Sequence, residues 1–223
     1  MDSVKPRILD LIQQPDNLRV AYEIADWMED GQVSARAPQE ARAFLEPVQH
    51  VEAAAYIQGC LKDIETRIFT VFWQGVADRL TARLRAAQLN GAWRVWLSER
   101  LMDPSSYLAI APDGDEYDPR KFQVAAESLC GTGGQCFFGI WPIDVRLAEE
   151  LRSEGFATNK QWTCWRYFRS LKLPEFRRGR DDALRLNADN ASADRPIMQA
   201  VSEVMWQLFT THRPRLEQLN LKY

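Results

Sequence analysis

The segment Gln135-Cys136-Phe137-Phe138-Gly139-Ile140-Trp141 decides the fold class of this chain of 223 residues. It is short and rich in aromatic residues, and it lies between the glycine-rich run 131–134 and Pro142. Apolar runs of this length, bounded by turn residues, are typical of β-strands. Three similar runs precede it, separated by residues rich in Pro, Asp and Gly: Trp93 to Leu97, Tyr107 to Ala111 and Phe122 to Ala126. The pattern predicts a small antiparallel sheet that begins near residue 91, with a tight turn at 131–134.

The residues before Asn90 have helical periodicity instead. Residues 4–30 predict one or two short helices. From Pro47 to Gln88, apolar residues recur mostly at steps of three or four, which predicts one amphipathic helix, or two helices broken near Gly59 or Gly75. A helix of that length needs a break or a partner helix to cover its apolar stripe.

Two further helices are predicted in the second half. Residues 143–153 carry an apolar row at helical spacing, and Gly155 is placed to end that helix. A last amphipathic helix begins near Pro196 and ends or bends at Pro214. We therefore expect an α+β fold, with a helical N-terminal layer packed on a small, mostly antiparallel sheet with C-terminal helices. Residues 1–90 form the helical region and residues 91–223 the α+β region, packed together as one unit.

The composition is that of an ordinary globular protein, with 46% apolar and 26% charged residues. The net charge of -3 gives no global attraction for a polyanion, so any nucleic-acid binding must come from local patches. The sequence has no apolar signal core and no run of about 18 apolar residues that would span a bilayer. We expect a cytoplasmic location and no membrane partner.

The usual signatures of catalysis are missing from the sequence. No Asp or Glu is followed two positions later by Lys, so the acid-x-Lys half of a common metal-dependent nuclease site is absent. Neither His50 nor His212 belongs to a local nucleophile motif. The four cysteines lack close, repeated spacing, which excludes the usual structural zinc motifs. The sequence therefore predicts no catalytic residue, no metal site and no cofactor.

An aromatic stretch near residue 165 is the first candidate binding site. Trp162, Trp165 and Phe168 are three residues apart, so on a helical turn they would share one face, with Arg166 and Arg169 projecting elsewhere. One interpretation is that the aromatic side chains fill the core. The other is a partly exposed platform on which a base stacks while Arg166 or Arg169 contacts a phosphate.

An arginine-rich loop is the second candidate. Arg177, Arg178 and Arg180 place three guanidinium groups within four residues, around Gly179. The loop is either a phosphate-contact site or a solvated segment neutralised by the following residues, Asp181 and Asp182.

The order of features resembles the C-terminal region of bacterial and phage proteins of the PD-(D/E)XK nuclease superfamily. The resemblance rests on the long helix at 48–88, the strand Phe138-Gly139-Ile140, the helix at 143–153, the stretch Trp162-Thr163-Cys164-Trp165-Arg166-Tyr167-Phe168 and the helix at 197–213. In that family the catalytic acids and lysine lie upstream, in a core for which this chain has no counterpart. The resemblance therefore implies a region without the nuclease core.

These observations favour a non-catalytic accessory or recognition module of a nuclease-like, phage-defence or mobile-element system, which binds nucleic acid or a protein partner. Two alternatives remain open. The first is a divergent metal-dependent nuclease that uses carboxylates such as Asp113, Asp115, Glu116 and Glu127. The second is a protein-interaction subunit, a homodimer or hetero-complex, formed through the apolar stripe of the 48–88 helix.

Overall fold

The computed structural model describes residues 11–12, 14–29, 32–131 and 135–222, and it confirms the predicted α+β class. A five-stranded antiparallel sheet lies against a layer of helices, and a separate two-stranded sheet lies near the N-terminal helix. Residues 132–134, in the predicted glycine turn, and residues 4–10 of the first predicted helix lie outside the described residues.

The elements follow one another in a simple order. The N-terminal region contains α1 (Pro15–Asp26), β1 (Met28–Glu29), β2 (Gln32–Val33), α2 (Gln39–Phe44) and α3 (Val48–Ala86). The main sheet contains β3 (Trp93–Leu97), β4 (Tyr107–Pro112), β5 (Gln123–Glu127), β6 (Phe137–Trp141) and β7 (Cys164–Tyr167). The helices of the second half are α4 (Val145–Arg152), α5 (Arg180–Ala191) and α6 (Pro196–Asn220).

The strands of the main sheet are neighbours in sequence order, β3-β4-β5-β6-β7, and every pair is antiparallel. The first four strands form a meander, and α4 is inserted between β6 and β7. Gly155 follows α4 with a φ of 79°, as expected for a glycine that ends a helix.

Helix α3 is continuous over 39 residues, so the prediction of one amphipathic helix is confirmed and the alternative of two helices broken near Gly59 or Gly75 is wrong. At about 1.5 Å per residue it is about 58 Å long. It needs no break because α1, α5 and α6 all pack against it within the chain. At Gly75, a Cβ would lie 2.5 Å from the terminal methyl of Met198, so the missing side chain allows α6 to pack close to α3.

Two further sequence predictions need correction. The segment around Trp165 is strand β7, not a helical turn, because its backbone pairs with β6. Trp165 and Cys164 therefore point to opposite faces of the sheet. Helix α6 begins at Pro196 as predicted but continues through Pro214 to Asn220.

One apolar core joins the helices to the inner face of the sheet. It contains residues of α1, of α3, of the main sheet and of the helices after it. Asp189, which is buried, fixes the start of α6 by accepting hydrogen bonds from the backbone N–H groups of Ile197 (2.7 Å) and Met198 (3.1 Å). At the other end, Asn220 exchanges two hydrogen bonds with the backbone of Phe122. The opposite face of the sheet, whose apolar cluster includes no described helical residue, carries the candidate site.

Candidate functional site

The outer aromatic face is the side of the main sheet that points away from the helices. Its apolar cluster is built around Ala109, Ala125 and Trp162, and among the described residues no helical residue belongs to it. We define the outer aromatic face by its eight rings: Trp96, Tyr107, Tyr117, Phe137, Trp141, Trp162, Trp165 and Tyr167. All of these side chains except Trp162 are partly exposed.

The strand register creates the shape of this face. Residues paired directly across all five strands form the row Trp96, Ala109, Ala125, Gly139 and Trp165. Three small residues therefore lie between two tryptophans at the edges of the sheet. Gly139 cannot be larger, because a Cβ there would lie 1.9 Å from the backbone oxygen of Cys164.

Two side chains from loops, Trp162 and Tyr117, pack over the small residues at the centre of the row. Trp162 packs edge-to-face against Phe137 and Trp141, with ring centroids 5.1 and 5.4 Å away. Tyr117 stacks on Tyr107 at 4.2 Å. Asn159 holds the first loop by accepting hydrogen bonds from the backbone N–H groups of Gln161 and Trp162, both at 2.7 Å.

The two predicted tryptophans have different environments. Trp162 is 3% exposed, so its side chain packs like a core residue and leaves almost no surface for a base. Trp165 is partly exposed at the sheet edge, edge-to-face with Phe137 and Tyr167. Its indole N–H is buried and has no hydrogen-bond partner among the described residues, so only the ring surface is accessible. Of the two indoles, Trp165 is the one available to a ligand.

Two arginines stack on rings at opposite edges of this face. The guanidinium of Arg94 lies 4.7 Å from the ring centroid of Trp96 on β3. That of Arg169 lies 5.4 Å from the ring of Tyr167, and its Nη1 is 3.3 Å from Glu175 Oε1. Four strand spacings of about 4.8 Å separate the two edges by about 19 Å. Arg169 was a predicted site residue, whereas Arg94 was missed.

Arg166 does not share this face. It follows Trp165 in β7, so its side chain points to the helix side of the sheet. The guanidinium lies over the ring of Phe156 at 4.5 Å, and its Nη2 donates to the backbone oxygen of Glu154 at 2.6 Å. The sheet therefore separates Arg166 from the outer aromatic face.

The arginine loop also lies on the helix side, and each of its guanidinium groups meets a carboxylate. Arg178 Nε is 3.1 Å from Glu65 Oε2 of α3, and Arg180 Nη1 is 2.6 Å from Asp26 Oδ2 of α1. Arg177 Nε is 3.0 Å from Glu175 Oε2. The partners of Arg178 and Arg180 come from distant helices, so the loop joins the N-terminal helices to the second half of the chain.

Acidic residues surround Tyr117 at the outer aromatic face. Tyr117 belongs to the same loop as Asp113, Asp115, Glu116 and Asp118. Asp118 forms an ion pair with Arg120, and the hydrogen bonds from that arginine hold the pKa of the Asp118 carboxyl below its usual range. Burial raises the pKa of Glu127, which lies on β5 of the same face. The exposed carboxylates of Asp113, Asp115 and Glu116 would repel an approaching polyanion on this side of the outer aromatic face.

The described residues contain no group of three or more His, Cys, Asp or Glu side chains that could hold a metal ion. All four cysteines are buried, and burial raises the pKa of Cys130 and of Cys164 to about 12. Thiols in this state are mostly protonated at neutral pH and react slowly.

The apolar stripe of α3 is covered within the chain. From Leu61 to Leu84 most of its apolar residues are buried in the shared core, whereas Val71 is 45% exposed. Near its beginning, Phe44 and Val48 remain 55% and 68% exposed. A partner of this helix would therefore meet mainly the first turns of the predicted stripe, around Val48, since most of the stripe from Leu61 onwards is buried.

Most of the outer aromatic face was not predicted from the sequence, because its eight rings are spread over four strands and two loops. The detectable signal was the alternation within each strand, which places Tyr107 and Ala109 on one face and Leu108 on the other.

Among the described residues, none of the helices combines the length and the apolar character that a membrane span requires. No family model, curated protein or solved structure matches this chain.

Proposed function

We propose that this chain is a cytoplasmic, non-catalytic recognition module that binds single-stranded nucleic acid across its outer aromatic face. One observation carries the proposal: partly exposed rings line a sheet face that has no helical cover among the described residues, and an arginine stacks on a ring at each edge. Its place in a nuclease-like, phage-defence or mobile-element system rests on the sequence resemblance alone.

The physical case starts from stacking. Every base has a π face, so an aromatic platform binds single strands with little sequence preference, and each stacked base contributes about 1–3 kcal/mol. Tyr167 at one edge and Trp96 at the other are partly exposed rings that a guanidinium contacts, and Trp165 packs edge-to-face beside Tyr167. Each edge thus combines a base-stacking surface with a phosphate partner.

The charges limit the expected affinity. Arg94 and Arg169 supply two phosphate contacts, and the acidic loop around Tyr117 opposes a third on that side. Two neutralised phosphates predict a slope of about -1.4 for log K against log salt on a single strand. Binding should therefore be weak, moderately salt-dependent and confined to single strands, because paired bases do not offer their faces for stacking.

Fluorescence anisotropy with short labelled oligo-dT and oligo-U, and with a duplex as the control ligand, tests the proposal. Replacing Trp165 by Ala should weaken single-strand binding by about 1–3 kcal/mol. Arg94→Gln with Arg169→Gln should flatten the salt slope. The matched control is Arg19→Gln with Arg36→Gln, which removes the same charge from exposed positions in the N-terminal region and should leave binding unchanged.

Two results would contradict the proposal. If neither oligonucleotide binds at low salt, a protein partner becomes the favoured function. If Mg²⁺ or Mn²⁺ permits cleavage of the oligonucleotide and a chelator stops it, the chain is a divergent nuclease. In that case Asp113, Asp115, Glu116 and Glu127 become the first residues to replace.

A further inference from the structure

A cleft on the helix side of the sheet has a composition unlike that of the outer aromatic face. It lies between α6, the end of β7 and the segment after α4, and has a volume of about 300 Å³. Its floor is apolar and its rim polar. The apolar lining is formed by Phe138, Phe156, Leu171, Val204 and Leu208, and the polar lining by Glu154, Arg166, Gln207, Thr211 and His212.

Arg166 is the most preorganised polar group of this cleft. Its Cζ lies 4.5 Å from the ring centroid of Phe156 in a cation–π contact, and its Nη2 donates a hydrogen bond to the backbone oxygen of Glu154. Its Nε and Nη1 have no hydrogen-bond partner among the described residues. Gly155 makes this position possible, because a Cβ at that residue would lie 2.9 Å from Arg166 Nη2.

The other polar groups restrict the ligand further. His212 is partly buried, and that burial lowers the pKa of its imidazole, so at neutral pH it offers one N–H donor and no full charge. Glu154 lies at the rim, where its carboxylate would repel a second negative charge on a ligand. The cleft therefore offers a ligand one fixed positive charge, on Arg166, and one N–H donor, on the neutral imidazole of His212. Its apolar floor has the size of one aromatic ring.

We propose that this cleft binds a small organic monocarboxylate with an aromatic or similarly sized apolar body. The carboxylate accepts hydrogen bonds from Arg166, with His212 as the second donor, and the apolar body packs on Phe138, Phe156 and Leu208. Charge-assisted hydrogen bonds from a held guanidinium to a carboxylate are roughly twice as strong as hydrogen bonds between neutral groups. This site is on the opposite side of the sheet from the proposed nucleic-acid platform and does not depend on it.

Benzoate is the probe, with benzyl alcohol and phthalate as matched ligands that lack the charge or carry a second one. Titration of the isotope-labelled protein followed by NMR should show saturable shifts at cleft residues for benzoate. Benzyl alcohol should bind at least about tenfold more weakly, since it loses a charge-assisted hydrogen bond that contributes that much. Phthalate should also bind more weakly than benzoate, because Glu154 repels its second carboxylate.

Arg166→Gln should weaken benzoate binding by about tenfold or more, whereas Arg152→Gln, an exposed arginine on α4, should leave it unchanged. If Arg166→Gln fails to fold, Thr211→Trp gives the same test, because an indole at the exposed rim would fill the cleft without removing the guanidinium. The proposal is overturned if benzoate causes no saturable shifts in the cleft. It is equally overturned if a folded Arg166→Gln or Thr211→Trp variant binds benzoate as well as the wild type.

Discussion

At the residue scale, two tryptophans three positions apart have opposite roles. Trp162 is buried between Phe137 and Trp141, whereas Trp165 is partly exposed at a sheet edge. The difference arises because Trp162 precedes β7 and folds over the sheet, while Trp165 is held in the strand by its pairing with Gly139. Two side chains of the same type therefore differ in role: one packs in the interior and the other remains partly exposed. Their positions relative to strand β7 decide which role each has.

This difference leads to a stability prediction. Trp162→Ala should lower the free energy of unfolding by about 3–5 kcal/mol, because it removes a buried ring and leaves a cavity. Trp165→Ala should cost clearly less, since its ring already contacts water. Chemical denaturation of the two variants measures both values, and equal losses would contradict the assigned environments.

Two glycines provide a second, matched prediction. Gly139→Ala should destabilise the protein by about 3 kcal/mol or more, because its methyl group would overlap backbone atoms of Cys164. Gly59→Ala should instead stabilise it by about 1 kcal/mol, since Gly59 lies inside α3 with open space around the added carbon. Thermal unfolding of the two variants should shift the melting temperature in opposite directions. An unchanged melting temperature for Gly139→Ala would show that β6 and β7 are not packed this closely.

At the element scale, the local pattern predicted α1, α3, α4, α6 and the strands from β3 to β6, but not α2, α5 or β7. The strands from β3 to β6 coincide with aromatic and β-branched runs, and α6 begins at the predicted Pro196. The exceptions have physical reasons. Spacing by three suggested a helical turn around Trp165, but pairing with β6 made the segment a strand, since tertiary context overrides weak local preference. Helix α3 remained continuous because other helices cover its stripe.

The platform depends on elements that no local pattern connects. Trp96, Ala109 and Gly139 belong to three different strands, and only the register of the sheet places them in one row. Arg166 and Arg169 are close in sequence, yet β7 directs the first to the helix side while the second follows the strand and stacks on Tyr167. Candidate residues taken from one stretch of sequence were therefore divided between the two sides of the sheet.

At the scale of the whole molecule, α6 crosses the helix layer and brings His212 towards Glu150 and Glu154. Burial lowers the pKa of the His212 imidazole, and the two carboxylates partly oppose this effect. The folded protein thus holds this proton less readily than the unfolded chain. The contribution of His212 to stability should decrease as the pH falls through the unfolded value near 6.5, and it should level off below the folded pKa.

Denaturation at several pH values between about 5 and 8 checks this prediction against His212→Gln, which cannot gain the proton. The wild type should lose stability relative to the variant as the pH falls. Glu127 and Asp182, whose pKa values burial raises, act in the opposite direction at lower pH. Both proteins share these two groups, so their effect cancels in the comparison. Parallel curves for the two proteins would contradict the burial of His212.

The sequence by itself determined the fold class, because hydrophobic periodicity and turn residues act within a few positions of the chain. Only the tertiary structure decided how the surface is arranged. Arg178, which looked like a free phosphate contact, pairs with Glu65, a residue 113 positions away. The outer aromatic face likewise combines residues from β3 to β7 through strand register. Such partners are joined by folding rather than by spacing, so a single sequence carries no local signal of them.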